Sequence, residues 1–345
     1  MKHQLFSELE LPVIQAPMAG VQDSALAIAV SSAGGLGSLP CSMLGQDGLH
    51  SELSVIRSET DKPINVNFFA HVEPDFDPDL EANWRLELKP YFDEYGLDID
   101  NISTRGGREP FSHAAADVLE KFKPEFVSFH FGLPEKDLMR RVKAWGAKVL
   151  SSATTVEEAQ WLEAHGADGI IAQGIEAGGH RGIFLTNNLS GQLGTFELLQ
   201  KIVKQVSLPV IAAGGITDAK GVAHALSLGA TAVQLGTVYL LCDEAKTSVV
   251  HRAAIKNSAD NLTSITNVFS GRPARGIVNR AIRELGPINV NTPEFPLASA
   301  AITELRKHCE QNGSSDFTPL WCGQNTDGCA EISARELTQN LASEI

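Results

Sequence analysis

Short apolar runs, each closed by a small or polar residue and followed by a stretch of helical spacing, recur about eight times between Leu11 and Thr237. No other feature limits the fold as much. Strand, loop and helix in regular alternation give a parallel sheet covered by helices. The elements are of barrel length, so the expected class is α/β: a (β/α)8 TIM barrel rather than an open doubly wound sheet. Strands are expected at 11–16, 36–39, 63–69, 126–130, 148–151, 169–173, 209–216 and 232–237. Helices are expected at 24–33, 46–58, 112–122, 135–144, 156–165, 196–206, 218–228 and 244–256, with Asp23 and Thr155 as N-caps.

The alternation breaks twice. Residues 70–107 are acidic, aromatic and rich in turns, and read as a partly helical excursion. Residues 260–296 are irregular and lead to a helix at 299–309. The expected division is a barrel domain at 1–69 and 108–258 and a smaller cap domain at 70–107 and 259–325, over the barrel mouth. A polar C-terminal tail is expected at 326–345.

Charge narrows the partners. With 42 acidic against 28 basic residues the formal charge is −14. Nucleic acid and anionic membranes require a basic face, so neither is an expected partner. An anionic substrate has to be drawn by local cations, because the overall field repels it. No apolar run approaches the roughly 18–20 residues of a membrane span. The acidic N-terminal stretch does not read as a signal peptide. Five scattered cysteines without a CxxC pair suit reduced thiols in the cytoplasm, and no metal site is expected.

The chemistry concentrates in Asp168–Gly182, DGIIAQGIEAGGHRG. Gly169–Gln173 reads as a buried strand, and the loop after it carries four glycines, Glu176, His180 and Arg181. Ligands of α/β barrels bind beyond the carboxyl ends of the strands, and glycine lets backbone approach a flat ligand closely. On the strand at 63–69, Asn65 and Asn67 are two apart, so they point the same way and need polar partners. Gly214-Gly215 and Gly236-Thr237 end the seventh and eighth strands, where barrels commonly hold a phosphate. A flavin fits such a site. Asn67 and Gln173 are placed to hold its polar edge, Met18 to give an apolar face, and Ala16 or Gly20 to give close backbone. A dinucleotide or P-loop fingerprint is absent.

The motifs QAPMAG (15–20), NVNFF (65–69), SFHFGLP (128–134), GIEAGGHRG (174–182), AAGGI (212–216), QLGT (234–237) and FSGRPARG (269–276) resemble the nitronate monooxygenase family, formerly 2-nitropropane dioxygenases, and its first class most. The resemblance spans about residues 10 to 325. It implies FMN, a barrel with a cap, and oxidation of alkyl nitronates such as propionate 3-nitronate by O2 without a nicotinamide. By motif it makes His180 the catalytic base. It makes Asn67, Gln173, Gly178 or Gly179, Gly215 and the run Gln234, Leu235, Gly236 and Thr237 FMN contacts; Ala16, Met18 and Gly214 join them as expected contacts from their place at the strand ends. Several of these motifs recur in FMN-dependent enoyl-thioester and quinone reductases, so NAD(P)H-dependent reduction is the alternative. An imidazole with a pKa near neutrality suits removal of a nitroalkane α-proton. His130 reads as a wall residue able to touch substrate. Arg181 could pair with a substrate carboxylate or with Glu176, and a surface or structural ion pair is the reading preferred. Arg272 and Arg275 either anchor the cap or face the pocket. The sequence leaves oligomeric state open.

Overall fold

The computed structural model describes residues 5–100, 102, 107–257 and 262–345. Asp260, the expected start of the second excursion, lies outside them. Along the barrel run β1 (Val13–Gln15), α1 (Ser24–Ser32), β2 (Gly37–Pro40), α2 (Gln46–Glu59), β3 (Ile64–Phe69), α3 (Pro78–Tyr95), α4 (His113–Phe122), β4 (Phe126–His130), α5 (Lys136–Ala144), β5 (Lys148–Ala153), α6 (Val156–Ala164) and β6 (Gly169–Gln173). They are followed by β7 (Gly179–His180), α7 (Thr195–Gln205), β8 (Val210–Ala213), α8 (Ala219–Ser227) and β9 (Ala232–Leu235). The chain ends with α9 (Val249–Lys256), β10 (Thr263–Thr266), β11 (Ala274–Ile277), α10 (Arg280–Leu285), α11 (Ser299–Gln311) and α12 (Ala334–Leu341).

The parallel sheet runs β1-β9-β8-β6-β5-β4-β3-β2. A parallel bridge between Ile14 and Leu36 joins its ends, so the eight strands make a nearly closed TIM barrel. Local chemistry explains the helix starts. Asp23 Oδ1 accepts from Ala25 N, and Thr155 Oγ1 accepts from Glu158 N, each satisfying one orphan donor of a first turn.

Strand parity decides what the barrel encloses. Val13, Ile170, Val210 and Val233 face outward into a core shared with the helices. Their neighbours Ile14, Ile171, Ile211 and Ala232 face inward with Leu36, Phe126 and Leu150, and Phe6 joins them. Each successive inward residue lies one layer nearer the carboxyl ends.

Four expectations need correction. The helix expected at 244–256 begins only at Val249, where Ser248 caps it. The irregular stretch 260–296 contains two strands and a helix, because β11 pairs antiparallel with β10 on one side and β7 on the other. The glycine loop after β6 is therefore partly strand. The polar tail contains α12, whose Ala334, Leu337 and Leu341 pack into the outer barrel core, with Thr338 Oγ1 2.9 Å from the Tyr239 hydroxyl. Its polar residues cover one face only, as amphipathic spacing allows.

The insertions share a core of their own. Trp84, Leu88 and Phe92 of α3 pack with Val268, Phe269, Ile282, Ile302, Leu305 and Phe317. The Trp84 indole donates to Ala298 O at 3.3 Å.

Candidate active site

Ala16, Met18, Asn67, His130, Gln173, Gly178, Gly179, His180, Gly214, Gly215, Gln234, Leu235, Gly236 and Thr237 line one cleft at the carboxyl ends of the strands, whereas Gly20, the alternative to Ala16, does not. The cleft holds about 1360 Å³ of non-protein space, part of it open to solvent. Among the described residues, no Asp or Glu and no Lys lines it, and Arg108 is the one arginine that does.

The floor is made by the inward residues of the last strand layer. Asn67 Nδ2 donates to Ser128 Oγ at 2.9 Å and to Ser128 O at 3.2 Å. Asn65, one layer deeper, donates to Ser38 Oγ and Ser128 Oγ, both at 2.9 Å. The two asparagines thus point the same way and share a serine. Asn67 Oδ1 takes no hydrogen bond among the described residues, and Gln234 Oε1 is buried without a partner. Gln173 differs. Its amide donates to His180 O at 2.9 Å and its Oε1 accepts from Gly182 N at 2.7 Å, so most of its bonding braces the loop. Leu235 packs its side chain into the outer core and reaches the cleft through its backbone.

Two glycine turns form the far wall. Gly215 has φ +68, in the left-handed region that side chains disfavour. At Gly178 a Cβ would sit 2.5 Å from Gly323 N, so only glycine lets these two backbones approach. Among the described residues the N–H groups of Gly215 and Gly236 donate to no protein acceptor. Asn325 donates to Thr217 Oγ1 at 3.0 Å beside them.

His180 is held by tertiary contacts throughout. Its strand partner is Ala274 of β11. Its carbonyl accepts from Gln173 and lies 3.0 Å from His130 Nε2, whose other nitrogen is 3.0 Å from Ser152 Oγ. Its own Nε2 lies 2.8 Å from Ser270 Oγ, and that hydroxyl also reaches Arg272 O at 3.3 Å. Nδ1 takes no hydrogen bond among the described residues. The ring stands against Phe69, Phe131, Phe295 and Trp321, with centroids 5.4 to 6.1 Å apart. Burial, reinforced by the charge of Arg108, holds its pKa well below the ordinary imidazole value. Burial likewise lowers His130 to about 4. Both rings are therefore neutral at pH 7, and burial puts His180 below the near-neutral value expected of it.

Arg181 is neither a surface residue nor an ion-pair partner. It is fully buried and donates to Gly174 O, Gln173 O and Gln192 Oε1 at 2.7 to 2.8 Å, clamping the loop from beneath. Arg272 lies 4.1 Å over the Phe131 ring and donates to Ile183 O. Arg275 donates to Ile175 O and Thr263 Oγ1. Both tie the second insertion to the loop after β6. Glu176 accepts from Thr195 N and Oγ1, each at 2.9 Å.

Sequence reasoning missed several wall residues. Ser128 and Ser152 share the inward parity of His130 and Gln173, so the period of two would have found them. Arg108, Ser270, His251, Trp321 and Asn325 lie outside the barrel strands, where no such period points at the cleft.

Comparison with known proteins identifies the family and the fold. The family model described as nitronate monooxygenase matches residues 2–344. The nitronate monooxygenase of Pseudomonas aeruginosa is 40% identical over 342 residues, covering 98% of this chain and 97% of that protein. That of Paraburkholderia phytofirmans is 40% identical and covers 98% and 93%. The nitroalkane oxidase of Streptomyces ansochromogenes superposes with a TM-score of 0.90 at 36% identity, covering 99% and 97%. FabK of Thermotoga maritima follows at 0.72 and 27%, covering 98% and 94%. The chain belongs to the nitronate monooxygenase family.

Proposed function

We propose that the chain oxidises alkyl nitronates with FMN and molecular oxygen to a carbonyl compound and nitrite. The supporting observation is one cleft with two unlike halves. One half offers unpaired donors and acceptors to a polar ring cofactor; the other presents a neutral imidazole in an aromatic wall. Asn67 Oδ1 and the orphaned Gln234 Oε1 would accept hydrogen bonds from the cofactor's polar ring. The free N–H groups of Gly215 and Gly236 suit a phosphate. Met18 adds an apolar face. The residues present therefore fit FMN, which when bound supplies the redox chemistry between nitronate and oxygen.

The chain's own residues position the substrate and move a proton. When Ser270 Oγ accepts from His180 Nε2–H, Nδ1 is bare and takes the α-proton of a neutral nitroalkane. When Ser270 donates instead, Nδ1 carries a proton and donates to a nitronate oxygen. The phenylalanine wall excludes water from the same space. In this reading 1–69 and 108–258 hold the cofactor, while 70–107 and 259–325 form the cap. Packing joins α12 to the barrel. The wider setting in this proposal is cytoplasmic, with nitronate and O2 as partners.

The alternative, an NAD(P)H-dependent reductase, has less support, since the 40% relatives named nitronate monooxygenase span the whole chain. Anaerobic mixing of the yellow holoenzyme separates the two. Bleaching of the flavin by a nitronate, with none by NADH or NADPH, is expected. Rapid bleaching by a nicotinamide alone would overturn the reading.

A further inference from the structure

The chain carries a net charge of −14, yet no carboxylate lines its cleft among the described residues. One guanidinium does, that of Arg108, where the chain re-enters the barrel from the first insertion. The other arginines nearby are committed. Arg181 and Arg275 hold backbone carbonyls, Arg272 holds Ile183 O and lies on Phe131, and Arg306 is paired with Glu310 at 2.8 Å. Arg108 has no ion pair and no hydrogen-bonded acceptor among the described residues. Its one ring neighbour is Phe295, 6.0 Å from the guanidinium carbon. Phe295 also packs against His180, 5.4 Å between centroids, so base and cation flank the same ring.

An arginine partly withdrawn from water with nothing to bind is costly unless a ligand completes it. Burial and the charge of Arg306 weaken its hold on its own proton, and no acidic group offsets them. Its field is the largest charge effect on His180 and is also felt at His71. Its place beside the base, on the ring that also flanks His180, suits a group on the substrate.

We propose that Arg108 forms a subsite for a second anionic group on the substrate, a carboxylate at the end of a short chain leading away from the nitronate carbon. This rests on the nitronate reading above and adds to it the residue that sets specificity. Guanidinium–carboxylate pairing is bidentate and strong where water is scarce. Arg108 supplies the local attraction that the acidic surface withholds. An alkyl nitronate without the second charge leaves the guanidinium unsatisfied and so reacts with lower kcat/KM.

The experiment compares propionate 3-nitronate with butyl-1-nitronate, a near isostere without the carboxylate, in the parent holoenzyme, Arg108→Gln and Arg108→Lys. Flavin content and Tm confirm that each variant is folded. Arg108→Gln is expected to lower kcat/KM for the carboxylated substrate about 10- to 100-fold, mainly through KM, and to change butyl-1-nitronate by less than about 3-fold. Arg108→Lys is expected to recover part of the loss. Equal losses on both substrates would overturn the subsite and leave Arg108 acting on the nitronate group. Failure of the parent to turn over either nitronate would instead sink the functional reading.

Discussion

The two ends of the barrel are built from the same eight strands and the same inward parity, and they do opposite things. Toward the amino end the inward residues Ile14, Leu36, Phe126, Leu150, Ile171, Ile211 and Ala232 form one apolar cluster, with Asn65, bonded to Ser38 and Ser128, as a polar exception above it. At the carboxyl end the parity delivers Asn67, Ser128, His130, Ser152, Gln173 and Gln234 around a cleft. The lower layer buries apolar surface and gains stability from it. The upper layer leaves acceptors unpaired, a cost that a ligand removes on binding. Stability and function thus separate along the barrel axis within single strands.

The largest expected effects test that separation directly. Phe126→Ala should destabilise folding by about 3–5 kcal/mol while kcat/KM of the folded protein stays near that of the parent. His180→Asn should do the reverse. Activity on a neutral nitroalkane should fall about 10²- to 10⁴-fold, with a smaller loss on the preformed nitronate and little change in unfolding free energy. Urea unfolding and steady-state kinetics on both variants check the pair. Comparable kinetic losses for both would mean that the two layers are not independent.

A smaller effect sharpens the description of the upper layer. Ser270→Ala removes the partner of His180 Nε2 and frees the ring to exchange tautomers. Kinetics on a neutral nitroalkane should weaken about 10-fold, with a displaced acid limb in the pH profile of kcat/KM, and Ser270→Thr should restore most of it. An unchanged pH profile would remove Ser270 from the proton path.

The most gradual effect, spread over more than two pH units, comes from imidazoles beside the cleft. His251 and His71 are both buried, and burial brings each from 6.5 to about 4. Between those values the unfolded chain binds protons that the folded chain refuses. Stability therefore falls as pH drops through that window, by up to about 1.4 kcal/mol per pH unit for each ring. Urea midpoints from pH 7 to 4.5 should decline accordingly, and His251→Asn should flatten the slope. An unaltered slope would place the proton uptake elsewhere.

Much of the site was legible because a period of two carries direction. Asn67, Gln173 and Gln234 end strands whose neighbours are apolar, so an inward polar layer follows from the alternation alone. The glycine pair at 214–215 marks a turn at positive φ that favours glycine, and Gly236 ends the last strand. Arg181 was misplaced because charge suggests a surface, whereas loop carbonyls at Gln173 and Gly174 gave it buried partners. The tail looked polar because α12 shows its apolar face only to α1, α8 and the barrel core.

By itself the sequence determined the barrel, the order of its strands and the parity that lines its mouth. These follow from alternation and capping, which are properties of neighbouring residues. Tertiary structure alone decided the rest: the β7–β11 pairing that fixes His180, the serine of a distant turn that faces its Nε2, and the guanidinium of Arg108, without an acceptor among the described residues, on the Phe295 ring beside it. Each depends on residues far apart in the chain arriving at one place, and no local pattern encodes where two such segments meet.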